Sequence, residues 1–120
     1  MMRILVADDH EDNRDLLMRR LGRRGYEVET AVDGVDAVEK AKTYRPDVIL
    51  MDISMPGMSG IEATRVLRAS PDTAHFKIVA LTAHAMESMR RECMDAGFND
   101  FATKPFDFAN LVERIEAVAA

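Results

Sequence analysis

The run Val48-Ile49-Leu50-Met51 closes on a single carboxylate, Asp52, and then breaks into Met55-Pro56-Gly57. Large apolar residues in unbroken succession, with no polar alternation, fit a strand covered on both faces, as in the middle of a parallel sheet. The carboxyl ends of such strands are where open α/β sheets place their ligands, so Asp52 is the first candidate for chemistry. Taken alone, an Asp at a strand exit is a turn former or a helix cap. Its meaning depends on what the rest of the chain brings to the same edge.

The chain on either side alternates in type. Arg3 to Ala7 reads as a short apolar strand ending on Asp8-Asp9. From Glu11 to about Arg24, the residues Arg14, Leu17, Met18 and Leu21 share one helical face, Leu16 lies beside that stripe, and Gly25 is placed to end the helix in a left-handed conformation. Tyr26 to Ala31 alternates Tyr26, Val28 and Thr30 with Glu27 and Glu29, the period-2 pattern of a strand near a sheet edge. Asp33-Gly34 reads as a turn, and Val35, Val38, Ala41 and Lys42 then mark a short amphipathic helix that stops before Pro46.

After the Asp52 strand, Ser59 and Glu62 form a capping box for a helix carrying Ile61, Val66 and Leu67 to about Ala69, closed by Ser70-Pro71-Asp72. Lys77 to Leu81 is another apolar run and ends on Thr82. A helix from about Met86 to Ala96, with Met89, Cys93 and Met94 inward, is capped by Gly97. Phe101-Ala102-Thr103 is a last short strand before Lys104-Pro105, and Asp107 caps a final helix carrying Phe108, Leu111, Val112, Ile115 and Val118.

Five strands alternating with five helices over 120 residues predict one α/β domain built on a doubly wound parallel sheet. Right-handed crossovers bring every strand's carboxyl end to one edge. That edge collects Asp8 and Asp9, Asp52, Thr82 and Lys104. Composition removes several other classes. A net charge of −5 with scattered Lys and Arg gives no footprint for nucleic acid. No apolar stretch approaches the roughly 20 residues of a membrane span, and the N-terminus lacks a signal-peptide pattern, so a soluble cytoplasmic protein is expected. The one cysteine, Cys93, excludes an internal disulfide or thiolate cluster and reads as a small core residue. His10 and His75 read as surface residues.

The electrostatics of the edge point to a metal. Carboxylates crowded together raise one another's pKa, and Lys104 offsets one charge of the three. A hard divalent cation balances the remainder. Mg²⁺ suits a site of one or two carboxylates completed by water and phosphate oxygens, with Mn²⁺ as an alternative. Asp52 beside such a cation is an ionised, positioned nucleophile of the kind that forms acyl phosphates. Lys104 and the Thr82 hydroxyl would meet the phosphoryl oxygens, and the small Ala83 leaves room for a donor.

Asp8-Asp9, Asp52 within Met51-Asp52-Ile53-Ser54-Met55-Pro56-Gly57-Met58-Ser59-Gly60, Leu81-Thr82-Ala83 and Phe101-Ala102-Thr103-Lys104-Pro105-Phe106 together resemble the receiver domain of two-component response regulators. The resemblance covers residues 1–120 as one receiver and implies a (βα)5 flavodoxin-like fold with strand order 2-1-3-4-5. It further implies that Asp52 accepts a phosphoryl group from a histidine kinase or a histidine phosphotransfer protein. Asp8, Asp9, Asp52 and the backbone carbonyl of Ser54 would hold the metal, Lys104 would contact the phosphoryl group, and the Lys104–Pro105 bond would be cis. Thr82 and Phe101 would form the switch, with Phe101 standing where many receivers have Tyr. Ser54 and His84 would tune the lifetime of the phosphoryl group. The readout surface would be the fourth helix, fifth strand and fifth helix, meeting a downstream protein target. Such a chain is a phosphoacceptor that modifies itself and slowly loses the group, not an enzyme turning over substrates. It is expected to be a monomer or a phosphorylation-dependent dimer, touching neither nucleic acid nor membrane.

Competing classes fit less well. A phosphatase or phosphomutase with an Asp nucleophile needs a second Asp two residues on, where this chain has Ser54. A flavodoxin-like electron carrier needs a Ser/Thr/Gly-rich loop after the first strand, and Asp8-Asp9-His10-Glu11 would repel an anionic cofactor. A docking module without phosphorylation has no use for the intact acid pair, Asp52, Thr82 and Lys104. Two expectations remain for the output, a stand-alone regulator or a receiver belonging to a longer or hybrid protein.

Overall fold

A computed structural model describes residues 2–83 and 86–120. The elements follow in the order β1 (Arg3–Ala7), α1 (Glu11–Arg23), β2 (Glu27–Ala31), α2 (Gly34–Tyr44), β3 (Val48–Asp52), α3 (Gly60–Ala69), β4 (Lys77–Thr82), α4 (Glu87–Ala96), β5 (Asp100–Thr103) and α5 (Phe108–Ala119). The strands form one parallel sheet in the order β2-β1-β3-β4-β5. This is the doubly wound arrangement the sequence pattern and the family resemblance predict.

Parity along the strands explains why the central ones are apolar throughout. Leu5, Ala7, Ile49, Met51, Ile78 and Ala80 face one layer, where α2, α3 and α4 contribute Ala37, Ala41, Leu67 and Cys93. Their neighbours Ile4, Val6, Val48, Leu50, Val79 and Leu81 face the other, filled by Leu17 and Leu21 of α1 and Leu111 and Ile115 of α5. Successive side chains point to opposite faces, so a strand with helices on both faces has no wet position until it ends. β2, at the sheet edge, is only partly buried.

Caps fall where the side chains favour them. Ser59 and Glu62 form the reciprocal capping box of α3, and Asp107 accepts from the Asn110 N–H at 3.2 Å to start α5. Asp33, expected in a turn, is the N-cap of α2 and accepts from the Asp36 N–H at 2.8 Å. Gly97 ends α4 at φ +109°. Gly25 follows α1 at φ +93°, as predicted.

Four residues assigned to inward faces are exposed instead: Met18 40%, Val35 51%, Val66 41% and Met94 46%. Each helix lies on a single sheet face, so only a narrow arc is covered. In α1 that arc is Leu17 and Leu21, in α2 Ala37, Val38 and Ala41, and in α4 Cys93 and Ala96. Small residues let the α2 and α4 backbones approach the strands, and the longer side chains beside them point outward. Leu16, placed beside the stripe, is 45% exposed, in line with that reading.

Candidate functional site

The carboxyl edge of the sheet brings together Asp8 after β1, Asp52 ending β3, Thr82 ending β4 and Lys104 after β5. Asp8 is fully buried, and its placement is fixed from several directions. Its N–H bonds the Ala31 carbonyl at 3.1 Å, and its carbonyl accepts from Arg14 Nη1 at 2.8 Å. Its side-chain oxygens accept from the His10 N–H at 2.9 Å and Asn13 Nδ2 at 3.2 Å.

Asp52 is 2% exposed. Oδ1 accepts from the Ser54 N–H at 2.9 Å, and Oδ2 lies 2.8 Å from Lys104 Nζ. Lys104 Nζ also reaches Asp8 Oδ2 at 3.3 Å, and the Lys104 N–H bonds the Thr82 carbonyl at 2.7 Å. Gly60 lets α3 begin directly against this strand end, since a Cβ there would overlap the Asp52 carbonyl oxygen. The Lys104–Pro105 peptide is cis.

Asp8, Asp9, His10 and Asp52 each offer a ligand atom within 4.8 Å of the others. Asp9 Oδ1 is buried and accepts no hydrogen bond. Three carboxylates face one ammonium, and the titration of the groups reflects the imbalance. Burial raises the Asp52 carboxyl above its ordinary range and the Asp8 charge adds to the rise, against the opposing pull of Lys104 and the Ser54 N–H. Burial alone would lower Lys104, yet its hydrogen bond to Asp52 and the charges of Asp52 and Asp8 carry it higher. Both groups hold their protons more tightly than usual, the behaviour of a site with surplus negative charge. An oxygen-rich donor set with an unused buried carboxylate oxygen fits a hard divalent cation.

Thr82 is buried, one residue beyond Leu81, the register partner of Asp52 on β4. Phe101 is half-buried against the core layer of α2, α3 and α4, and the Arg90 guanidinium stands 5.2 Å from its ring centroid. Ser54 is exposed at the mouth of the site, while His84 lies outside the described residues. A cleft of about 400 Å³ opens onto Asp52 and is lined also by His10, Asp12, Asn13, Ser54, Ala83 and Lys104. His10 therefore belongs to the site, contrary to its reading as a plain surface residue. Its position directly after the acid pair was the available signal. Asn13, in the first turn of α1, carried no signal in the sequence.

An acid pocket with a paired Lys at the carboxyl edge of a 2-1-3-4-5 sheet defines a phosphate-handling or metal-handling member of the flavodoxin-like class. The chain belongs to the response regulator receiver domain family, whose model matches residues 4–116. It is 41% identical over 116 residues to the response regulator PleD of Caulobacter vibrioides, covering 97% of this chain and 26% of that protein. It is 42% identical over 117 residues to the response regulator MprA of Mycobacterium leprae, covering 98% of this chain and 50% of that protein. The chain thus spans a quarter to a half of the length of these relatives. Among solved structures, the chemotaxis protein CheY4 of Vibrio cholerae superposes with a TM-score of 0.93 at 33% identity, over 98% of both chains. The receiver domain of the sensor histidine kinase PA1611 of Pseudomonas aeruginosa, solved with a magnesium ion coordinated in its active-site cleft, gives 0.90 at 36% identity over 98% of this chain and 97% of that one. Membership of the family places the chain in two-component signalling. None of the described helices is long and apolar enough to cross a membrane.

Proposed function

We propose that this receiver accepts a phosphoryl group on Asp52 from the phosphohistidine of a histidine kinase or a histidine phosphotransfer protein. The observation that most supports this reading is the fixing of Asp52: the Ser54 N–H holds Oδ1 and Lys104 holds Oδ2, at the floor of an open cleft. An Asp52 oxygen attacks phosphorus as the P–N bond breaks, and the bond's electron pair stays on the imidazole nitrogen, which takes up a proton. Lys104 turns from the carboxylate to the phosphoryl oxygens, and the Thr82 hydroxyl donates to one of them. Asp8, Asp9, Asp52 and the Ser54 backbone carbonyl hold Mg²⁺, with Mn²⁺ able to replace it. When bound, that cation supplies positive charge against the phosphoryl oxygens. Without an acid at position 54 the site has no ready general acid for turning over phosphate esters. The chain therefore works as a switch that loses its phosphoryl group slowly, at a rate tuned by Ser54 and His84.

The added charge of roughly −1.5 to −2 draws Thr82 inward and leaves space for Phe101 to follow. Arg90 of α4, over the Phe101 ring, ties that movement to the face formed by α4, β5 and α5, which meets a downstream protein. The chain acts in the cytoplasm as a receiver unit, monomeric or dimerising on phosphorylation. Intact-mass spectrometry after incubation with a small phosphodonor tests the reading. A Mg²⁺-dependent gain of one phosphoryl group, absent in Asp52→Asn, is expected. A gain that survives Asp52→Asn, or no gain at all, refutes it.

A further inference from the structure

We propose that His10 is a further ligand of the divalent-cation site and biases it toward nitrogen-accepting transition metals. The proposal rests on the reading that Asp8, Asp9 and Asp52 hold a cation. His10 Nδ1 lies 3.3 Å from Asp8 Oδ1 and 3.2 Å from Asp9 Oδ1. Neighbouring ligand atoms 2.1 Å from a six-coordinate cation are about 3.0 Å apart. The imidazole nitrogen therefore already stands at the spacing of an adjacent ligand position to both acids. With its proton on Nε2, the ring presents the Nδ1 lone pair.

Two independent features support the assignment. Asp9 Oδ1 is buried and accepts no hydrogen bond, and the group set against it is the His10 ring, through Nδ1 at 3.2 Å. The His10 N–H bonds Asp8 Oδ1, and the residue lies in extended conformation just before α1 without giving its side chain to the helix as a cap. The backbone is pinned to the acid pair, and the ring, 66% exposed, lines the cleft with Nδ1 against Asp8 Oδ1 and Asp9 Oδ1.

The consequence is one of selectivity. Mg²⁺ keeps oxygen ligands and water, and gains little from an imidazole. Affinity for nitrogen-bearing sites rises along the series from Mn²⁺ to Ni²⁺ and Cu²⁺. A site of three carboxylates and one imidazole thus accepts Mg²⁺ through its oxygens but holds Ni²⁺ through His10 as well.

Isothermal titration calorimetry of the purified chain with MgCl₂ and, separately, with NiCl₂ tests this. His10→Ala should weaken Ni²⁺ about tenfold or more and leave Mg²⁺ within about twofold, while His75→Ala changes neither. Electron spin-echo spectra of the Mn²⁺-loaded wild type should carry a nitrogen coupling that His10→Ala removes. Equal losses for both metals, or none for either, overturn the role of His10. If instead Mg²⁺ fails to bind wild type, or binds Asp9→Asn as well as wild type, the underlying cation-site reading falls and the proposal falls with it.

Discussion

Arg68 of α3 sits where several loops end against one another, and its replacement by Met tests how much one guanidinium contributes there. Nε donates to the Gly97 carbonyl at 2.9 Å, Nη1 to the Ala74 carbonyl at 2.7 Å and to the Phe76 carbonyl, and Nη2 to Asn99 Oδ1 at 2.9 Å. The same Asn99 oxygen accepts from the Ile78 N–H at 2.7 Å, so the bonds join α3 to the entries of β4 and β5. Gly97 takes part by having no side chain: a Cβ would stand 2.9 Å from Arg68 Cγ. A net hydrogen bond is worth about 1 kcal/mol, more when the donor is charged, which sets a gross loss of about 4 kcal/mol over these contacts. Water reaches part of this half-buried site, and the Met side chain recovers some apolar packing, bringing the expected loss to about 3 kcal/mol. At about 2.1 cal/mol/K per residue, a chain of 120 residues converts that to a fall in Tm of about 12 °C. Urea unfolding followed by circular dichroism should show the lower midpoint with an unchanged slope. Arg68→Lys should recover less than half of the loss, because an ammonium cannot span the fork. A Met variant within about 1 kcal/mol of wild type would show that water replaces the guanidinium at all its acceptors, and the reasoning would be wrong.

Further outcomes follow from the acid pocket. Mg²⁺ at ten times its dissociation constant should stabilise the wild type by about 1.4 kcal/mol in thermal unfolding, and Asp9→Asn should lose that gain. The raised carboxyl of Asp52 means the folded state binds a proton more tightly than the unfolded chain, so stability falls as pH rises from the ordinary carboxylate range through the higher folded value. In EDTA, Asp52→Asn should therefore be more stable than wild type at neutral pH, with an advantage that shrinks as the pH is lowered through that window; an unchanging difference contradicts the assignment. Gly60→Ala should cost about 2 kcal/mol or more in urea unfolding and slow phosphorylation from a small donor, because the added methyl displaces the Asp52 carbonyl. Arg90→Ala should leave phosphorylation of Asp52 unchanged by mass spectrometry while altering the near-ultraviolet signal of the half-buried Phe101.

The parts of this molecule legible in its sequence are those set by a local rule. Val48 to Asp52 and Lys77 to Thr82 announce themselves because a strand covered on both faces has to be apolar until it stops. The residue at which each stops, Asp52 or Thr82, then stands at the edge that carries the candidate site. Ser59 with Glu62 and Gly97 were legible for the same reason, since a cap needs only its neighbours. The phase of a helix about its own axis is not local. Met94 and Met18 are as hydrophobic as the residues that were buried, and only the width of the groove each helix lies in turned them outward. His10 was signalled only by its place directly after the acid pair, and Asn13 reaches the site through the bend of the β1–α1 connection, which no spacing rule encodes. Phe101 also meets Arg90 across the gap between two elements, and sequence separation hides that contact.

The two-layered core also explains why the acid pocket persists although it is electrostatically unfavourable. Asp8 follows β1, buried from Ile4 to Ala7, and Asp52 ends β3, buried throughout, so neither carboxylate can retreat to solvent without withdrawing Ala7 or Met51 from the core. The hydrophobic layers hold the charges together, and the charges alone would drive them apart. Lys104 relieves part of this repulsion but is itself shared between Asp8 and Asp52. On the proposed function, a cation at the edge and a phosphoryl group on Asp52 would each redistribute the same surplus charge. Loading Asp52 would therefore change the demand on Lys104 and, through its N–H bond to the Thr82 carbonyl, on the end of β4. A charge change at Asp52 would thus act directly on Lys104, which pairs with its Oδ2, and through the Lys104 N–H on the Thr82 carbonyl, because the packed strands hold the carboxylate in place.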